Sequence, residues 1–225
     1  MPIVSLRGTQ KPFTVSKIIC VGRNYAEHAK EMKVDLPTVP VLFLKPPSAI
    51  IREGEDIIIP PISREVHHEV EMTVLLGQGG KNIPAETALE HVAGFGVGLD
   101  MTLRDVQTEA KKKGLPWTLA KGFDTSAPLS EFAPAGSVAD PHSLQIQLAV
   151  NGAVRQKGNT ADFIFRLDRL LSLISTYFTL EAGDVIFTGT PEGVAQVAAG
   201  DTLEARLLDS RGSTLASIRV GVREQ

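Results

Sequence analysis

The amino-acid sequence predicts an α+β fold in which β-structure predominates, with a few short helices and one longer amphipathic helix. Three observations carry this expectation. Residues 67–76 and 92–100 are runs of β-branched, apolar and glycine residues whose character alternates with a period of two, the mark of a strand. Asn151-Gly152 stands between the alternating runs 143–150 and 153–156, the strongest short-range sign of a hairpin. Helical spacing sustained over several turns occurs once, at Phe163, Ile164, Leu167, Leu170, Leu171 and Ile174 within 160–178.

Taken in order, residues 16–22 read as a short buried strand. Asn24 follows, placed to cap a short helix with Glu27 three residues on. Val41-Leu42-Phe43-Leu44 is a strand entered and left through prolines, and Ile57-Ile58-Ile59 is another. In 67–76 the odd positions His67, Glu69, Glu71 and Thr73 share one face, and Val70, Met72, Val74 and Leu76 share the core face. In 92–100 Phe95, Val97 and Leu99 face the core, while Gly94, Gly96 and Gly98 leave a bare face to which a backbone or ligand can come close. Thr102 is expected to cap a helix over 102–114 that Gly114 stops. Its last turn carries Lys111-Lys112-Lys113, where cations suit the helix dipole. Residues 115–123 read as extended, 185–188 as a strand, and 202–208 with 213–222 as a last hairpin.

Composition bounds the class. With 225 residues, 43% hydrophobic and 22% charged, the chain is an ordinary globular protein with room for a large core. We expect one domain over 1–225, with 1–15 as a lead-in. A net charge of −3 argues against a nucleic-acid partner. No apolar run approaches the ~20 residues of a membrane helix, and the start has no leader pattern. Cys20 is the only cysteine, which excludes an intrachain disulfide and a zinc cluster. These features predict a cytoplasmic protein with no membrane partner. No P-loop occurs, and the glycine runs at 77–80 and 94–98 fail the dinucleotide fingerprint.

The chemistry-bearing residues are fewer. Glu69 and Glu71 sit ~7 Å apart on one strand face and repel unless a positive charge lies near. With Asp100 they make a three-carboxylate site suited to a hard divalent cation. The alternative is a solvated strand face and a helix cap. His28 and Glu31 are neighbours on one helix face, either a charged exposed face or a base oriented by a carboxylate. Arg104 and Gln107 share a face that can hold a substrate carboxylate or simply be solvated. Gly189-Thr190-Pro191-Glu192-Gly193 is a tight loop whose N–H groups and Thr190 hydroxyl can hold an anion, or an ordinary turn. Lys121 by itself reads as a surface lysine.

Taken together, the motifs resemble the fumarylacetoacetate hydrolase family, in particular its small acylpyruvase and oxaloacetate decarboxylase branch. They are Val21-Gly22-Arg23-Asn24-Tyr25, Leu42-Phe43-Leu44-Lys45-Pro46, His67-His68-Glu69-Val70-Glu71, Leu99-Asp100-Met101-Thr102-Leu103-Arg104-Asp105-Val106-Gln107, Lys112-Lys113-Gly114-Leu115-Pro116-Trp117-Thr118-Leu119-Ala120-Lys121 and Thr188-Gly189-Thr190-Pro191-Glu192-Gly193-Val194. The likeness spans about residues 18–220. It implies a mixed β-roll, a homodimer, and Mg2+ or Mn2+ held by Glu69, Glu71 and Asp100. It implies a His28–Glu31 dyad on a lid over 23–35, with Lys121 catalytic and Arg23, Asn24, Arg104, Gln107 and Thr190 on a small keto-acid substrate. The implied activity is hydrolysis of a carbon–carbon bond in 3-acylpyruvates, with oxaloacetate decarboxylation at the same site. Alternatives on the same scaffold are an isomerase or decarboxylase of aromatic-acid catabolism and an oxaloacetate tautomerase. Outside enzymes, the alternative is a β-rich module stabilised by Ca2+.

Overall fold

Strand Val70–Leu76 is buried along its whole length, and the fold is built outward from it. In the computed structural model, which describes residues 2–9, 12–31 and 37–225, it lies inside a six-stranded sheet. The strand order is Ala133–Pro134, Val92–Leu99, Val70–Leu76, Val185–Phe187, Ile18–Gly22, Val41–Lys45. Neighbours run antiparallel except Ile18–Gly22, which is parallel to Val185–Phe187. A five-stranded sheet runs Ala153–Asn159, Gln145–Val150, Thr202–Leu208, Thr214–Glu224, Asp56–Ile59, its last pair parallel.

The two faces of the six-stranded sheet are covered by different partners. Val70, Met72, Val74 and Leu76, with Phe95, Val97 and Leu99, join Ile146, Leu148, Leu203 and Val220 of the five-stranded sheet and Leu167, Leu170, Leu171 and Ile174 of helix Leu167–Tyr177 in the main core. Each such side chain contributes ~1.5–3 kcal/mol by leaving water. On the other face Ile18, Cys20, Leu75, Val185 and Phe187 meet Val4, Phe13, Val15 and Phe132 in a smaller core. The outcome is the α+β, mainly β, mixed β-roll that the sequence led us to expect. Among the described residues no helix is long and apolar enough to cross a membrane.

Several elements differ from their sequence-based outlines, most of them because a tertiary partner takes a backbone group. The run 67–76 is two strands. Val66–His68 belongs to a three-stranded sheet with Thr102–Leu103 and Ala195–Gln196, and Val70–Leu76 to the six-stranded one. The switch falls at Glu69, whose carbonyl accepts the Asp100 N–H at 2.8 Å. Thr102 is no cap, since it pairs with His67, and the helix runs Arg104–Lys112. Gly114, at φ +65°, does stop it. Residues 115–123 are not all extended: Thr118–Lys121 is a turn of helix. Phe163 and Ile164 lie outside the long helix because they pair with Tyr25 and Asn24. Asn24 does not cap either. Its amide clamps the chain at Phe165 and Thr188. The hairpin at Asn151-Gly152 forms with both residues at positive φ, as a type I′ turn requires.

The bare glycine face of Val92–Leu99 is filled by protein. A Cβ on Gly98 would stand 2.8 Å from the Phe187 ring and 3.0 Å from the Pro128 carbonyl. Gly98→Ala is therefore expected to cost ~1–3 kcal/mol by overpacking, read as a lower urea midpoint at unchanged m-value. An unchanged midpoint would show that the second core is loosely packed there.

Candidate active site

The switch at Glu69 and the end of the neighbouring strand bring three acids together. Glu69 leaves one strand, Glu71 sits one pleat into the next, and Asp100 follows Leu99 on the paired strand. One oxygen of each lies within 4.8 Å of the others, and all three residues are buried. Such proximity without compensation is costly.

Compensation comes from three buried cations. Lys121, at the end of its short helix, places Nζ 2.6 Å from Asp100 Oδ2, 2.8 Å from Glu69 Oε2 and 2.7 Å from the Thr102 hydroxyl. Arg104 donates to Glu69 Oε1, to Gln107 Oε1 at 2.7 Å and to His67 Nδ1 at 3.4 Å. Lys45 Nζ lies 2.8 Å from Asp100 Oδ1 as an ion pair, while its hydrogen bonds go to the carbonyls of Met101 and Lys121. Asp100 Oδ1 is thus buried with no hydrogen bond. Among the described residues Glu71 receives only the Gly189 N–H, at 2.6 Å.

The acids respond in opposite directions. Burial works to raise the Glu69 carboxyl, but Lys121, Arg104 and His28 overcome it and hold the group well below the carboxylate range. Burial, then the charges of Asp100 and Glu69, push Glu71 well above that range. Burial works to lower the Lys121 ammonium, yet Asp100 and Glu69 hold it above its ordinary value. An all-oxygen, buried donor set in which Glu71 has no cation partner among the described residues fits a hard divalent cation.

Above the acids, His28 Nδ1 and Glu31 Oε2 are 3.2 Å apart on helix Ala26–Glu31, and Glu31 also accepts the Gly193 N–H at 3.1 Å. The 188–193 loop is stitched down by Asn24 through the Thr188 carbonyl and by Gln156 through Thr190 Oγ1 and the Pro191 carbonyl. The loop's Gly189 and Gly193 N–H groups thus serve the protein's own carboxylates, Glu71 and Glu31.

Comparison with known proteins decides the family. Residues 17–223 match the family model described as "Fumarylacetoacetate (FAA) hydrolase C-terminal". The chain belongs to this family. It is 52% identical over 188 residues to oxaloacetate tautomerase FAHD1, mitochondrial, of Rattus norvegicus, covering 84% of this chain and 85% of that protein. Among solved structures, fumarylpyruvate hydrolase from Pseudomonas aeruginosa in complex with Mn2+ and pyruvate is 36% identical at TM-score 0.93, covering 100% of this chain and 96% of that one. 5-Carboxymethyl-2-hydroxymuconate delta-isomerase from Mycobacterium smegmatis is 38% identical at TM-score 0.82, covering 95% and 81%.

In this fumarylacetoacetate hydrolase-family enzyme the sequence-predicted residues fall into two groups. Glu69, Glu71, Asp100, Lys121, Arg104 and Gln107 form one hydrogen-bonded and ion-paired cluster, and the charge of His28 reaches Glu69. Asn24 and Thr190 are buried and engaged in holding the loop, while Arg23, at φ +72°, is tied to the cluster by no ion pair or hydrogen bond among the described residues. Of the lid segment 23–35, residues 32–35 lie outside the described residues. Sequence reasoning passed over Lys45 and Gln156. For Lys45 a sign existed: a lysine closing an apolar strand before Pro46-Pro47. For Gln156, which also accepts from the Val70 N–H and lies 2.8 Å from His68 Nδ1, there was none.

Removing one partner of a buried ionic cluster costs ~3–5 kcal/mol. Lys121→Met is expected to lose about that in urea melts with chelator present. A loss of ~1 kcal/mol or less, the range of surface pairs, would mean that Lys121 does not balance Glu69 and Asp100.

Proposed function

We propose that this protein is a divalent-metal-dependent enzyme of short 2-oxo acids. It interconverts the keto and enol forms of oxaloacetate, and it hydrolyses the carbon–carbon bond of 3-acylpyruvates such as acetylpyruvate or fumarylpyruvate. The observation that carries this reading is the buried Glu69–Glu71–Asp100 triad lying beside a His28–Glu31 pair. A purely structural Ca2+ site has no use for an oriented base. Identity with the tautomerase of Rattus norvegicus favours oxaloacetate, and likeness to the Mn2+ and pyruvate complex of the Pseudomonas enzyme favours acylpyruvates. Mg2+ or Mn2+ is the proposed cation, held by Glu69, Glu71 and Asp100. A homodimer and a cytoplasmic setting belong to the proposal through the family resemblance and composition.

When bound, the cation supplies Lewis-acid polarisation to the 1-carboxylate and 2-oxo oxygens of a substrate. The chain's own residues supply proton transfer and positioning. Glu31 orients the His28 ring through Nδ1, which leaves Nε2 as the base. With oxaloacetate, Nε2 takes a proton from C3, and the Lys121 ammonium stabilises charge building on the 2-oxo oxygen before that oxygen is protonated. With an acylpyruvate, Nε2 takes a proton from water, which attacks the 4-carbonyl carbon. Lys121 stabilises the oxyanion, the C3–C4 bond breaks, and a carboxylic acid and the enolate of pyruvate leave. The enolate then takes a proton at C3. Loss of CO2 from oxaloacetate reaches the same enolate without water attack. Arg104 and Gln107 hold the substrate carboxylate.

The reading is tested by a panel of oxaloacetate, acetylpyruvate and fumarylpyruvate with Mg2+, with Mn2+ and with chelator. Activity is expected to vanish with chelator and return with either ion, and full activity in excess chelator would sink the metal role. Asp100→Asn is expected to abolish Mn2+ binding, measured by calorimetry, while the protein stays folded. His28→Ala is expected to lower acylpyruvate hydrolysis by ~10²–10⁴, the usual worth of a general base, and oxaloacetate decarboxylation much less. Equal losses in both would remove the water-activating role from His28.

A further inference from the structure

Gln156 is the only fully buried residue of strand Ala153–Asn159, which forms one edge of the five-stranded sheet. The strand is bulged beside it. Gln156 stands opposite Leu148 and Val154 opposite Ala149, so Arg155 is the extra residue. Bulges re-aim the side chains next to them, and here Gln156 turns inward between exposed Arg155 and Lys157. The 189–193 loop is pressed against the same strand. A Cβ on Gly193 would stand 2.5 Å from the Arg155 carbonyl oxygen, and one on Gly158 would stand 2.8 Å from Pro191 Cβ.

All four hydrogen-bonding positions of the Gln156 amide are taken. Oε1 faces the Val70 N–H at 3.1 Å and His68 Nδ1 at 2.8 Å. Nε2 donates to the Pro191 carbonyl at 3.0 Å and to Thr190 Oγ1 at 2.9 Å. The amide cannot be turned over, because a backbone N–H only donates and a backbone carbonyl only accepts. Two proton positions follow. His68 carries a proton on Nδ1, and Thr190 Oγ1 is the acceptor toward Gln156. The Thr190 hydroxyl must then send its own proton elsewhere. It meets no acceptor among the described residues, although Thr190 is only 2% exposed. A buried donor without an acceptor is costly. The preceding residue, Gly189, gives its N–H to Glu71 at 2.6 Å, so the unused hydroxyl proton stands at the edge of the acid cluster.

We propose that Gln156 is a positioning residue: it fixes the Thr190 hydroxyl as a donor and presents that proton to a carboxylate oxygen of a 2-oxo acid bound at Glu69, Glu71 and Asp100. The inference rests on the reading of this site as one for 2-oxo acids. Gln156 itself touches no substrate and acts from the other sheet through Thr190. A hydroxyl already turned toward the anion loses no rotational freedom when the substrate arrives.

The test measures oxalate binding to the Mn2+-loaded protein by calorimetry, oxalate standing for the carboxylate and 2-oxo oxygens of a substrate. Thr190→Ser is expected to bind within about threefold of wild type, and Thr190→Val about tenfold or more weakly, as loss of a hydrogen bond to a charged group requires. Gln156→Met is expected to weaken binding severalfold where Thr190 is present, and to change it by less than about twofold in the Thr190→Val background. A residue that merely braces the loop would weaken binding equally in both backgrounds. Gln156→Glu keeps the side-chain length and the acceptor facing Val70 and His68, but its second oxygen draws the Thr190 proton away. It takes the place of Gln156→Met in the same comparison if a melting curve shows that variant to be unfolded. If wild type binds no oxalate, the 2-oxo acid reading falls and this inference with it. If oxalate binds but Thr190→Val leaves its affinity unmoved, or the Gln156 substitution costs the same with and without the hydroxyl, or neither Gln156 variant folds, the positioning role alone is overturned.

Discussion

Three carboxylates buried together with three cations, which pair with Glu69 and Asp100 but not with Glu71, are the constraint on which the rest of this structure depends. Glu69, Glu71 and Asp100 face Lys45, Lys121 and Arg104, all almost out of contact with water. Isolated charges at such depth are prohibitively costly, so each cation must come from an element fixed by its own packing. Lys45 ends an edge strand, Lys121 ends a one-turn helix, and Arg104 begins a longer one. The cluster therefore joins three elements that are separate in the sequence. Glu71 receives the least positive charge, and its carboxyl is pushed up while that of Glu69 is held down. A divalent cation would relieve this asymmetry.

The core prepares the acids' position. Because both faces of Val70–Leu76 are covered, that strand cannot slip in register without driving Glu71 into hydrocarbon. The glycines of the partner strand let Phe132 and Phe187 close down on the second face, which holds Asp100 at the strand's end. Gln156, reaching across from the other sheet, ties Val70, Thr190 and Pro191 together. The loop whose Gly193 N–H donates to Glu31 is thus fastened to the strand that carries the acids, which ties the His28–Glu31 pair to the triad.

The sequence was most legible where a local pattern and the tertiary demand agreed. The alternation in 70–76 and 92–99, the Asn151-Gly152 turn and the stop at Gly114 follow from backbone preferences that no neighbour overrides. Errors fell where another part of the chain took a backbone group. Thr102 reads as a cap but pairs with His67. Phe163 and Ile164 carry helical spacing but pair with Tyr25 and Asn24. Lys111 reads as a cation on a helix dipole, yet it lies over the Trp117 ring.

The sequence by itself determined the β-rich class, the family motifs and the candidate acids, because residue type and spacing of two along a strand are local properties. Tertiary structure alone decided that Lys121 is buried among those acids rather than solvated, that Lys45 opposes Asp100, and that Gln156 links two sheets. The physical reason is range. A lysine's surroundings depend on segments tens of residues away: Lys45 meets Asp100 across 55 positions and Gln156 meets His68 across 88. No pattern in a short window records which distant backbone will arrive beside it.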